Sequence, residues 1–289
     1  MVKIPPFGDM IGVHSIENIL RKVQLTGAVA GSRPLNVIII GPSGAGKSLL
    51  LARSAASNAS QLMDFTSESL LRFCDRERPR YIICPDLNIV VSHKPSVANL
   101  TVAAMLALTG EGVSKIPGFE GQVKFKIPEG YLCGFLTACT WEMYVSKRGK
   151  WRQIGLLRRM VPLYYSYTTL TAREINDAIA KGMTPHYKPN GKWKVPDKPH
   201  IISIGKDFAE RLNHLATITL QQMGWNYRTK TGETRIAQAY DYSFDLHLIF
   251  RTFAKACAID RGDTEVREQD IVETEILSRF VRLDRPNEI

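Results

Sequence analysis

Apolar positions come in short unbroken runs as far as roughly residue 170, and beyond that point they recur almost wholly at helical spacing. The runs at residues 35–40, 80–86, 131–140 and 161–167 are continuous rather than alternating, as expected of strands covered on both faces in a parallel sheet. A shorter run at 62–65 adds a second strand in chain order. Amphipathic stretches separate them: a helix over 15–23 opened by Ser15 as N-cap, one beginning at Ser48, and others over 67–74, 96–108 and 153–160. A Gly/Ser/Pro linker, Gly31-Ser32-Arg33-Pro34, divides the first helix from the first strand. Past residue 170 the spacing predicts helices over 171–179, 207–215, 244–260 and 267–281, interrupted by polar, basic-aromatic insertions around 187–194 and 225–230. The expected fold class is therefore α/β, with a parallel-sheet domain over 1–170 and a small α-helical domain over 171–289.

Composition narrows this picture. At 289 residues and 44% hydrophobic content the chain is globular and long enough for a large core. No stretch approaches the ~20 apolar residues that span a bilayer, so no membrane partner is expected. The start, Met1-Val2-Lys3-Ile4-Pro5-Pro6, lacks the apolar core of a signal peptide, and a cytoplasmic location is expected. Five scattered cysteines suggest neither a disulfide framework nor a zinc site. The formal charge of +10 favours a polyanionic partner, with DNA the expected one.

The chemistry is concentrated at Gly41-Pro42-Ser43-Gly44-Ala45-Gly46-Lys47-Ser48, a complete phosphate-binding (Walker A) loop lying between a predicted strand and a predicted helix. Its glycines allow a tight turn that aims successive amide hydrogens inward, Lys47 reaches the β- and γ-phosphates, and Ser48 holds Mg²⁺. ATP and Mg²⁺ are the expected cofactors. Asp86, closing the strand at 80–86, is the expected second magnesium-site residue, with Asp64 in reserve and a capping role as the competing reading. Thr140, at the polar end of the next strand, is placed to meet the γ-phosphate or the attacking water, with Thr137 as runner-up. Two basic segments carry the nucleic-acid expectation. One is a short strand bearing Lys124 and Lys126. The other is a loop, Lys147-Arg148-Gly149-Lys150-Trp151-Arg152, that mixes phosphate-binding cations with a ring able to stack a base.

In that order of elements the chain resembles the AAA+ ATPase family: phosphate loop, second strand, carboxylate strand, polar-ended strand, then an arginine-bearing helix before the last strand. The resemblance implies that Ile11 and Gly12 form an adenine-side motif and that Arg158 or Arg159 is an arginine finger serving a neighbouring subunit's ATP. A homo-oligomeric ring or filament follows from that, and the helical part takes the place of the family's lid. Three features depart from the family's pattern. Leu87 stands where a water-activating glutamate usually follows the aspartate, so slow hydrolysis is expected. The lid's γ-phosphate-sensing arginine has no clear match, Arg251 being the nearest. No aromatic-hydrophobic-glycine pore loop follows the second strand. The leading reading is an ATP-dependent switch or motor on DNA. The alternative is a protein-remodelling or scaffolding factor acting through the lid insertions, with a small-molecule phosphotransferase a distant third.

Overall fold

The computed structural model describes residues 10–111, 127–128, 130–183, 193–229, 231–283 and 285–289. Its centre is a six-stranded sheet in which every pairing is parallel. The chain enters through helix α1 (His14–Leu25), passes into β1 (Asn36–Gly41) and turns through the glycine loop into α2 (Lys47–Arg53). Then come β2 (Ala59–Gln61), α3 (Ser67–Glu77), β3 (Tyr81–Cys84), the short α4 (Leu87–Val91) and α5 (Pro95–Leu106). β4 (Gly134–Thr140), α6 (Trp141–Gln153), α7 (Leu156–Arg159) and β5 (Met160–Ser166) complete the sheet's main strands.

In space the strands run β2, β3, β4, β1, β5 and finally a two-residue β8 (Asn287–Glu288) near the chain's last residue. The central position of β1 explains its composition. Val37, Ile38, Ile39 and Ile40 are all fully buried, with β4 on one edge and β5 on the other. The one polar residue in that strand, Asn36, is fully used: its side-chain oxygen accepts from Phe135 N at 2.8 Å and its amide donates to Arg159 O at 3.0 Å, tying both neighbours to β1. A second buried polar knot is built on Tyr81, whose hydroxyl lies 2.8 Å from Thr26 Oγ1 and 2.7 Å from Val23 O, joining β3 to α1. Buried donors satisfied in this way fix how elements meet without the cost of an orphaned polar group.

The remaining elements are helices α8 (Thr169–Ala180), α9 (Lys206–Gln221), α10 (Ser243–Asp260) and α11 (Glu268–Val281), with an antiparallel hairpin of β6 (Gly224–Arg228) and β7 (Thr234–Gln238) between α9 and α10. α10 supplies a continuous apolar face, with Leu246, Phe250, Phe253 and Ala254 fully buried, and it meets α9, α11 and α1.

The α/β fold agrees with the sequence reading; several local details do not. The basic segment 147–152 is not a loop. It is the second half of α6, because Tyr144 and Trp151, two turns apart, both turn inward and meet edge to face at 6.4 Å. The insertion at 225–230 is one arm of the β6–β7 hairpin rather than irregular chain. The second strand falls at Ala59–Gln61, ahead of the apolar run predicted to form it. Ser15 lies inside α1, whose N-cap position is Val13. Lys124, Lys126 and most of the 187–194 insertion lie outside the described residues.

Candidate functional site

β1 ends at Gly41 and the chain turns over the carboxyl end of the sheet before α2 begins at Lys47. Gly46 has φ 70°, so the turn needs glycine for its backbone, while the nearby Met10 Cε, 2.9 Å from where a Cβ would sit, is the end of a flexible side chain. At Gly41 the constraint is approach alone: a Cβ would come within 3.0 Å of the Tyr165 carbonyl on the adjoining strand.

The loop is clamped from β5. Tyr165 and Tyr167 both donate their hydroxyls to the Ala45 carbonyl, at 2.6 and 3.0 Å. Their rings meet nearly perpendicularly, 5.9 Å apart. The sequence reading missed this pair. Its signal was the spacing of two tyrosines at i and i+2, which puts both on one face at the end of a strand.

Around the loop lies a cleft of about 390 Å³ whose walls bring together Ser43, Lys47, Ser48, Asp86, Cys139 and Thr140. Three strand ends converge there. Thr140 is the direct β4 partner of Gly41, and Asp86 follows β3, which lies beyond β4 rather than beside β1. Ser48 Oγ donates to Pro85 O at 3.2 Å and so ties the first turn of α2 to the residue before Asp86. Asp86 also fills the role weighed against a magnesium site, since its Oδ1 accepts from Asn88 N at 2.9 Å and caps α4. Capping uses one oxygen, and the same carboxylate lines the cleft. The reserve, Asp64, is instead paired with His93 at 2.7 Å. Thr137 lies mid-strand, fully buried between Ile38 and Cys84, whereas Thr140 stands at the cleft.

Lys47 bends back over the loop, donating to Pro42 O at 2.6 Å and Gly41 O at 3.1 Å. Burial lowers its pKa from the ordinary lysine value, while Cys139, Asp86 and Glu142 act in the opposite direction. Burial pushes the Cys139 thiol up to about 12 against the pull of Lys47, so it is a neutral thiol at the cleft wall rather than a nucleophile.

Ile11 and Gly12 lead into α1 beside the loop. Met10 meets Gly46, and a Cβ on Gly12 would lie 2.7 Å from Thr171 of α8 and 3.6 Å from the last residue, Ile289. Arg158 and Arg159 are not at this cleft. They end α7 at the opposite, amino end of the sheet, where β5 starts beside Asn36. There they line a second hollow of about 590 Å³ with Arg33, Asp245, Phe244 and Leu248. Arg158 Nε lies 3.2 Å from Asp245 Oδ2, and Arg159 Nη1 donates to Gly155 O at 3.2 Å. Lys147, Arg148 and Lys150 project from α6. Arg148 sits over the Trp225 ring at 4.8 Å and Lys150 donates to Asn99 at 3.1 Å. Trp151 is only 3% exposed, so its ring serves the core and is not presented for stacking.

No protein-family model matches the chain, and no curated protein is similar to it in sequence. Among solved structures it is similar to a full-length MCM homolog from Methanopyrus kandleri, at 12% identity and a TM-score of 0.47, over 94% of this chain and 56% of that one. The chain thus spans little more than half the length of that neighbour. Among the described residues no helix is long and apolar enough to cross a membrane, and no group of three or more His, Cys, Asp or Glu side chains is placed to hold a metal ion.

Proposed function

We propose that the chain is an ATP-binding and ATP-hydrolysing AAA+-type ATPase that assembles with copies of itself and acts on DNA. The observation that carries this reading is the convergence of Lys47 and Ser48 from the start of α2, Asp86 from the β3–α4 junction and Thr140 from the end of β4 on one cleft at the carboxyl ends of the strands. That is where open parallel sheets bind their ligands.

In this reading the loop amides and Lys47 hold the β- and γ-phosphates, and the adenine lies toward Ile11 and Gly12. Ser48 and Asp86 are hard oxygen donors lining the same cleft, a set that suits Mg²⁺ with phosphates and water completing its shell. The ion's part is to draw charge from the β- and γ-oxygens. Thr140 orients the γ-phosphate or the attacking water, and Arg158 and Arg159 answer to a neighbour's nucleotide. Lys147, Arg148 and Lys150 on α6, together with the net charge of +10, favour a nucleic-acid backbone as the track. The alternative, a protein-remodelling role through the lid insertions, is favoured by one feature: Ile236 on the hairpin is 71% exposed and Leu248 on α10 is 58% exposed.

Particle mass measured with and without Mg-ATP and duplex DNA separates the two. Assembly that ATP drives and DNA enhances at low salt, with the DNA effect falling steeply as salt rises, is the expected result. Assembly driven by ATP but indifferent to DNA would favour the protein partner. A wild-type chain with no calorimetric response to ATP would overturn both.

A further inference from the structure

We propose that Glu142 supplies the carboxylate that takes up the proton of the attacking water, in place of a residue following Asp86. The inference rests on the ATPase reading above and adds to it the group that performs the proton transfer.

Leu87 is the first residue of α4 and is fully buried, so no carboxylate reaches the cleft from the position next to Asp86. A carboxylate does stand at the next strand end. Thr140 pairs with Gly41, lines the cleft and caps α6 by accepting from Met143 N at 3.3 Å. Glu142 follows it in the first turn of that helix.

The turn is held in place by Trp141, which stacks on Tyr164 with ring centroids 4.5 Å apart and planes 4° from parallel, and on Tyr144 at 5.7 Å. Tyr164 in turn is the β5 partner of Ile40, the residue before the glycine loop. The first turn of α6, which carries Glu142, is therefore fixed beside the carboxyl ends of β4, β1 and β5, with Glu142 two residues past the cleft-lining Thr140. Glu142 is exposed and makes no ion pair among the described residues. Burial first, and then its negative charge, raise the pKa of Tyr164, and the same charge acts more weakly on Lys47, behind Cys139 and Asp86.

The step balances without a further reagent. The water oxygen forms a bond to the γ-phosphorus, and the bond to the β–γ bridging oxygen breaks with its electron pair leaving on ADP. The water proton passes to Glu142 and then to solvent, and the products are ADP and inorganic phosphate. An acidic residue in a helix's first turn also favours the helix itself, so the test must separate a positional role from a chemical one.

The experiment compares full-length wild type, Glu142→Gln, Glu142→Asp and Lys47→Ala for Mg-ATP affinity, single-turnover hydrolysis with and without duplex DNA, and thermal unfolding. Glu142→Gln is expected to bind ATP within about threefold of wild type and to lose roughly 10²-fold or more in turnover, the range of a general base. Its bound nucleotide should be recovered as intact ATP, and Glu142→Asp should restore part of the rate. Turnover of Glu142→Gln within threefold of wild type would overturn the proposal. So would parallel loss of binding, turnover and unfolding temperature in Glu142→Gln, or a wild type that binds ATP and never cleaves it, outcomes that leave the wild type's ATP binding in place. A wild type that binds no ATP, or a Lys47→Ala chain that binds it as well, would instead remove the ATPase reading itself.

Discussion

The two ends of the central sheet are built on opposite plans. At the carboxyl end, α2, the β3–α4 junction and the end of β4 deliver a cation and a hydroxyl, a carboxylate and a capping threonine to a single cleft, and two tyrosines lock the loop that leads into α2. At the amino end, about 17 Å away along β1 at ~3.3 Å per residue, the hollow gathers Arg33, Arg158 and Arg159 with Asp245 as the acidic residue of its lining, flanked by the half-exposed Phe244 and Leu248. The cleft at the first end is lined by residues of one chain alone. The second is rich in guanidinium groups and has no phosphate-holding loop of its own. On the proposed reading, the contrast means that one molecule would bind nucleotide alone, whereas the arginine end would gain its role when a second copy brings it a phosphate.

Lys47→Ala should produce the largest effect, because it removes the ammonium group that Gly41 O and Pro42 O now position. Loss of charge-assisted contacts of ~1.5–3 kcal/mol each predicts ATP affinity reduced by roughly 10²-fold or more, read by calorimetry, with unfolding temperature unchanged without nucleotide. The next largest effect breaks the other end. Arg158→Ala and Arg159→Ala should leave ATP binding intact, and the variant that removes the finger should lower turnover by roughly 10³-fold. Mixing that variant with Lys47→Ala should restore part of the activity, since some interfaces then join an intact loop to an intact arginine. Full turnover in both arginine variants, or no recovery on mixing, would erase the proposed division between the two ends.

The carboxyl end was far more legible in the sequence than the amino end, for a physical reason. A glycine turn between a strand and a helix is a local object: spacing, glycine conformation and the flanking elements all lie within about twenty residues, and the passage from β1 into α2 could be read directly. Asp86 and Thr140 were legible because each closes an apolar run. The insertion of β4 between β3 and β1 was not, since strand order is decided by pairing across a hundred residues and leaves no periodicity behind. Residues 147–152 misled for the converse reason. Their charges gave a solvated look to a segment whose helical register is set by only two inward rings, Tyr144 and Trp151. The tyrosine clamp stayed hidden because its partner is a backbone carbonyl, Ala45 O, with no side-chain signature.

That clamp gives a smaller prediction at the carboxyl end. Tyr165→Phe leaves Ala45 O with Tyr167 and should cost about 1 kcal/mol, while replacing both tyrosines by phenylalanine strands a largely buried carbonyl and should cost ~1–3 kcal/mol. Chemical denaturation reads the stability. ATP affinity should fall in parallel, because the loop loses its fixed shape. Unchanged affinity in the double variant would mean that the loop holds its form unaided.

The smallest effect lies on α10, where it faces α9, and depends on pH. His247 lies on α10, two residues after the aspartate that pairs with Arg158, and its buried Nε2 has no hydrogen-bond partner among the described residues. Burial first, and then the neighbouring Arg251, lower its pKa from 6.5. The neutral ring is thus favoured in the folded state, and the unfolded chain takes up the proton first. Stability is full above about pH 6.5 and declines as the pH falls from there toward the lowered value. The side chain as a whole is only partly buried, so screening should keep the loss below about 1 kcal/mol, or at most ~2–4 °C in unfolding temperature. His247→Gln should flatten that part of the pH profile while leaving nucleotide affinity at the far end of the sheet untouched. A variant that lost ATP binding along with the pH response would show that the two ends are coupled through α8 to α11 rather than independent.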